Sequence, residues 1–140
     1  MNTQDFTASI LVDKTPQEAF DAINNVRAWW TGEIEGNTTK AGDEFTYRYK
    51  DFHYSKHKLV EVVPGKRVAW LITESALNFT DARTEWTGTR IIFDVSRKGD
   101  QTEVRFTHQG LVPSLQCYEG CSGAWTGYIT SSLKKFIDQH

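Results

Sequence analysis

Phe6, Ala8, Ile10 and Val12 alternate with Thr7, Ser9 and Leu11, which predicts a first strand over about residues 4–13. Thr15-Pro16-Gln17-Glu18 then reads as a helix start, with a hydroxyl cap, proline at the first helical position and glutamate at the third. Ala19, Phe20 and Ile23 form the apolar stripe of that helix, and Asn24-Asn25 ends it. A second short helix runs from Val26 to Trp30 and stops at Thr31-Gly32. After a polar loop from Gly36 to Gly42, the pattern returns to period two. Phe45, Tyr47 and Tyr49 alternate with Thr46, Arg48 and Lys50, giving a strand with one aromatic side. A turn at Lys50-Asp51 leads to a strand ending at Val62-Val63, and Pro64-Gly65 turns into the next, Arg67 to Thr73. Residues 74–87 follow neither period. They hold Leu77, Phe79 and Trp86 among polar neighbours and are expected to form a long loop over a pocket mouth. Two further strands, Thr89 to Ser96 and Thr102 to Gln109, flank a hairpin turn at Lys98-Gly99-Asp100-Gln101. Pro113 leads into a final helix, Glu119 to Ile137, on which Leu115, Tyr118, Trp125, Ile129, Leu133 and Phe136 recur at helical spacing. Lys134 and Lys135 suit its C-terminal dipole.

The predicted order is strand, two short helices, five strands, long helix. That is an α+β architecture, a six-stranded antiparallel sheet with the first strand paired beside the last and the helices gathered on one side. At 140 residues the chain forms one domain over 1–140, long enough to bury a core without staples. Composition is ordinary, 39% hydrophobic and 24% charged, except for aromatics at 13% with five tryptophans. A net charge of −2 from 16 basic and 18 acidic residues gives no basic face for nucleic acid. Met1 to Val12 has neither the basic flank nor the apolar run of a signal peptide, and no stretch has the length of a membrane helix. Cys117 and Cys121, four apart, are expected to be a reduced pair in a cytoplasmic protein.

Parity puts Phe45, Tyr47 and Tyr49 on one side of their strand, and likewise Val68, Trp70 and Ile72; Ile91, Phe93 and Val95; and Val104, Phe106 and His108. If these sides meet Trp125 and Ile129, they enclose either a filled core or a cavity with apolar walls and a few polar tips. The expected lining is Trp30, Tyr47, Tyr49, Trp70, Phe93, Phe106, His108, Trp125 and Ile129. Adjacent helical residues diverge, so Trp30 should border the cavity and Trp29 should pack elsewhere or on the surface, with the greater exposure of the two. His108 is the leading polar candidate, as a ligand contact or as an acid/base. His53 and His57 share one side of a strand, but with Cys117 and Cys121 they do not make a four-ligand zinc pattern, so no metal is expected. No nucleophile elbow, phosphate-binding glycine loop or paired-carboxylate motif is present. Gly120, Gly123 and Gly127 are read as sites of close helix–sheet packing. The scatter of Arg48, Lys56, Lys58 and Arg67 is read as a solvated sheet surface.

Several pieces, in order along nearly the whole chain, resemble the activator of heat-shock-protein-90 ATPase homologue family. They are Pro16-Gln17-Glu18-Ala19-Phe20, Trp29-Trp30, Glu61-Val62-Val63-Pro64-Gly65-Lys66-Arg67-Val68, the run Thr102 to Leu111, Gly123-Ala124-Trp125 and Leu133-Lys134. The family lies in the START-like or SRPBCC superfamily, with the birch-pollen allergen and aromatic polyketide cyclases. The resemblance implies a helix-grip fold, a curved sheet wrapped round the C-terminal helix with a hydrophobic cavity between them. Three functions follow as expectations. The first is binding of a small aromatic or lipid-like molecule without a cofactor. The second is a cyclase- or hydrolase-type enzyme using the same cavity, with His108 or a tyrosine as acid/base. The third is a protein-interaction module with a chaperone partner, as the family name implies. The oligomeric state is left open.

Overall fold

Thr15 caps α1 (Pro16–Asn24) as its sequence predicts: its hydroxyl accepts from the Glu18 amide at 3.1 Å, and the Glu18 carboxylate accepts from the Thr15 amide at 3.0 Å. In the computed structural model, which describes residues 5–30, 32–50, 53–77, 86–112 and 118–139, α1 follows β1 (Phe6–Val12) and leads into the one-turn α2 (Val26–Trp29). The strands that follow are β2 (Glu33–Gly36), β3 (Glu44–Tyr49), β4 (His53–Val63), β5 (Arg67–Leu77), β6 (Arg90–Lys98) and β7 (Gln101–Gln109). The C-terminal helix has three parts: α3 (Tyr118–Gly127), a π-helical stretch (Tyr128–Leu133) and α4 (Lys134–Gln139).

The sheet is antiparallel throughout, in the order β1-β7-β6-β5-β4-β3-β2. It has seven strands rather than the six the sequence predicts. The extra strand, β2, is a four-residue edge with Ile34 opposite Tyr47. Its one partly buried apolar residue is too little for an alternation to show, and its brevity blunts the open edge. β5 also runs to Leu77 instead of Thr73, so part of the expected 74–87 loop is strand. Glu74 and Ser75 hide this, because Ser75 points inward and bonds the Thr87 hydroxyl at 2.8 Å instead of presenting an apolar side chain. Residues 78–85 of that segment, with Cys117, Pro113 and Leu115, lie outside the described residues.

Every side-chain set assigned inward by parity is inward. Val68, Trp70, Ile72, Ile91, Phe93, Val104, Phe106 and His108 are wholly buried. Trp125, Ile129, Leu133 and Ile137 bring the C-terminal helix onto the same side. On the other side Arg67 meets Glu61 and Asp94 at 3.0 Å, and Lys56 lies 3.9 Å from Glu44 and Glu74. These half-exposed pairs each contribute little. Gly123 and Gly127 correct the close-packing expectation: they are exposed, and a Cβ on either would meet nothing within 4 Å. No helix among the described residues is long and apolar enough to cross a membrane.

Candidate functional site

Between α3 and the β3–β4 end of the sheet lies a cavity of about 320 Å³. Its lining residues are Trp30, Tyr47, Tyr49, His53, Trp86, Gly120, Cys121, Ala124, Trp125 and Tyr128. The volume is near the lower end of small-molecule sites, roughly 300–1,000 Å³. Among the described residues, six aromatic side chains form the walls, and no carboxylate, ammonium or guanidinium group stands with them.

The walls are built by stacking. Trp30 lies flat on Tyr47, 3.7 Å between ring centres at 8°, and 5.0 Å from Trp125. Trp125 stacks in turn on Trp86 at 5.8 Å. Burial, and a hydrogen bond with Tyr128, push the Tyr47 phenol above its usual range. Gly32 lets the chain pass close behind that ring: its φ is +147°, and a Cβ there would lie 2.6 Å from Tyr47 Cε1. Trp30 borders the cavity, but the expected difference in exposure from Trp29 is absent, since both are 3% exposed. Trp29 stacks on Trp30, 6.2 Å between ring centres, but packs deeper into the core. It meets Phe93 edge-on at 5.8 Å, and its Nε1–H donates to the Ile23 carbonyl at 3.0 Å, so it too is core.

Of the nine residues expected at the site, Trp30, Tyr47, Tyr49 and Trp125 come together as lining. Trp70, Phe93, Phe106 and Ile129 lie behind them, filling the core. His108 is wholly buried and has both ring nitrogens engaged by the protein. Trp125 Nε1–H donates to Nδ1 at 3.1 Å, so the neutral ring carries its proton on Nε2, 2.8 Å from Thr89 Oγ1. The Thr89 hydroxyl donates to the Trp86 carbonyl at 2.6 Å. Burial, with nearby His53 acting in the same sense, lowers the His108 pKa to about 3. Its role is to orient Trp125 and tie it to the turn that carries Trp86.

Pattern reading missed His53, Trp86, Gly120, Cys121, Ala124 and Tyr128. Tyr128 lies three residues after Trp125, a spacing that puts it on the same helical stripe. His53 stands opposite Tyr49 in the β3–β4 register, which parity could have supplied. Trp86 sits in a turn without periodicity; its segment was expected over the pocket mouth, but no period marked the residue itself as lining. His53 and His57 are joined through the residue between them: Ser55 Oγ lies 2.9 Å from His53 Nε2 and 2.8 Å from His57 Nε2. Among the described residues, no three metal-ligating side chains gather to hold an ion.

Sheet, helix and aromatic cavity together define a helix-grip protein of the START-like class. Residues 15–138 match the family described as Activator of Hsp90 ATPase homolog 1-like protein, and the chain belongs to that family. Its fold is similar to the solution structure of the Aha1 dimer from Colwellia psychrerythraea, with a TM-score of 0.78 and 23% identity over 96% of each chain. It is also similar to protein MLL2253 from Mesorhizobium loti, at TM-score 0.78 and 14% identity over 97% of this chain and 98% of that one. CalU16 from Micromonospora echinospora matches at TM-score 0.66 and 16% identity, over 95% of this chain and 75% of that one. Among curated proteins none matches.

Proposed function

We propose that this protein binds a small, uncharged, planar aromatic molecule in the cavity between α3 and the sheet. The observation that carries this reading is the wall of six aromatic side chains around about 320 Å³, with no formal charge among the described residues that line it. A charged ligand would lose its hydration there and gain no counter-charge, whereas a flat apolar one exchanges water for ring faces and edges. Lipid-like molecules with long chains fit the volume less well than one or two fused rings. The enzyme reading has less support, because His108, its leading acid/base, is engaged on both nitrogens. The chaperone-partner reading rests on the family description alone.

Native mass spectrometry of freshly purified protein tests the proposal directly, with a co-purifying small molecule as the expected result. A fluorescent naphthalene dye gives a second test. Trp125→Ala should weaken the dye more than His108→Ala does, because an indole wall contributes a large apolar area at about 25 cal/mol per Å². His108 acts only through Trp125. Circular dichroism must show each variant folded, since truncating a buried tryptophan costs about 3–5 kcal/mol. Unchanged dye affinity in folded Trp125→Ala would reject this cavity as the site and bring the interaction-module reading forward.

A further inference from the structure

We infer that His53 presents an Nδ1–H donor to the cavity, so that the aromatic ligand taken there carries a hydrogen-bond acceptor, a carbonyl-type oxygen, beside its ring system. This rests on the binding function proposed above and adds the chemistry by which the ligand is chosen. It follows from the proton count in the His53–Ser55–His57 chain. Burial keeps both imidazoles neutral, lowering His53 to about 4 and holding His57 well below 6.5. Each ring therefore carries one proton and the serine one more.

Three arrangements satisfy both short contacts at Ser55. If both rings donate to Ser55 Oγ, the serine hydroxyl has no acceptor. If Ser55 donates to His57 Nε2, His57 carries its proton on Nδ1, a buried atom without any hydrogen-bond partner. An orphaned buried donor is rarer and costlier than an orphaned lone pair. The remaining arrangement has His57 Nε2–H donating to Ser55 and Ser55 O–H donating to His53 Nε2. The His53 proton is then on Nδ1, which bonds no described residue, on a ring that lines the cavity. Trp86 holds the His53 ring from the side, meeting it edge-on at 4.5 Å.

The test pairs two probes of similar shape, 2-acetylnaphthalene, which carries a ketone, and 2-isopropylnaphthalene, which carries no acceptor. Wild-type protein should favour the ketone about fivefold, the net worth of one neutral hydrogen bond. In His53→Phe the ratio should collapse to about one. In Ser55→Ala, where nothing fixes the tautomer, it should fall between the two. Long-range proton–nitrogen correlation spectra of the unmodified protein should place the proton on Nδ1 of His53 and Nε2 of His57, with His53 Nδ1 shifting on ketone addition only. Equal binding of the two probes, or an Nε2–H tautomer at His53, would overturn this inference and leave the cavity's function standing. Binding of neither probe would overturn the binding function itself, and this inference with it.

Discussion

Both nitrogens of His108 hold other side chains in place, and that makes it a structural residue at the edge of a binding site. Replacing it by Phe keeps a buried ring but strands the Trp125 N–H and takes away the N–H that Thr89 Oγ1 accepts, while the Thr89 hydroxyl keeps its Trp86 acceptor. We expect a loss of about 1–3 kcal/mol in urea unfolding, with a smaller effect on dye binding than Trp125→Ala. Gly32 offers a sharper test of the Tyr47 wall. Gly32→Ala must both adopt φ near +147° and displace the Tyr47 ring, so dye affinity and thermal stability should fall together. An Ala variant as stable as wild type would mean that the ring yields freely. At this scale the sequence was readable wherever a period existed: Trp125 on its helical stripe, Tyr47 on its strand. Trp86 was not, because a turn has no period. The polar pairings of His53 and Ser55 also went unseen, since hydrogen bonds between side chains along one strand leave no mark on hydropathy.

Among the elements, the C-terminal helix departs most from its sequence expectation. Its extent was legible, but its interior geometry was not. Thr126 and Thr130 bond back to the Ser122 and Thr126 carbonyls, 2.8 and 2.5 Å away, around the point where the α-helix widens into the π-helical stretch. Such back-bonding competes with regular helix hydrogen bonding, and π-helical stretches are frequent at functional sites. Tyr128, the first residue of this one, is on the cavity wall. Gly123 and Gly127 weaken α3 without helping it pack. Gly123→Ala and Gly127→Ala should therefore each raise stability by about 0.5–1 kcal/mol, read as a higher Tm. A fall in Tm would mean that these positions need glycine after all. β2 and the end of β5 were missed for one reason. A short edge strand and a strand with polar inward residues both lack the apolar alternation by which strands are recognised.

For the molecule as a whole, the buried histidines set a pH dependence. His53, His57 and His108 all titrate below the ordinary value of 6.5 because burial disfavours the charged ring. Between the folded and unfolded values the unfolded chain binds more protons, so stability rises with pH there. It should be full above pH 6.5 and fall steadily as pH drops towards about 4. Each histidine adds at most about a tenfold change in the folding equilibrium per pH unit. Thermal melts from pH 7.5 to 5 check this, and His53→Phe should flatten the slope; a flat wild-type profile would show that the rings are already solvated. The same packing has an optical consequence. All five tryptophans are buried and form an unbroken series of ring contacts, from Trp29 to Trp30, from Trp30 to both Trp70 and Trp125, and from Trp125 to Trp86. Indoles this close share absorbed light, so excitation anywhere in the series can reach the rings that border the cavity, and the protein's own fluorescence reports whatever enters it.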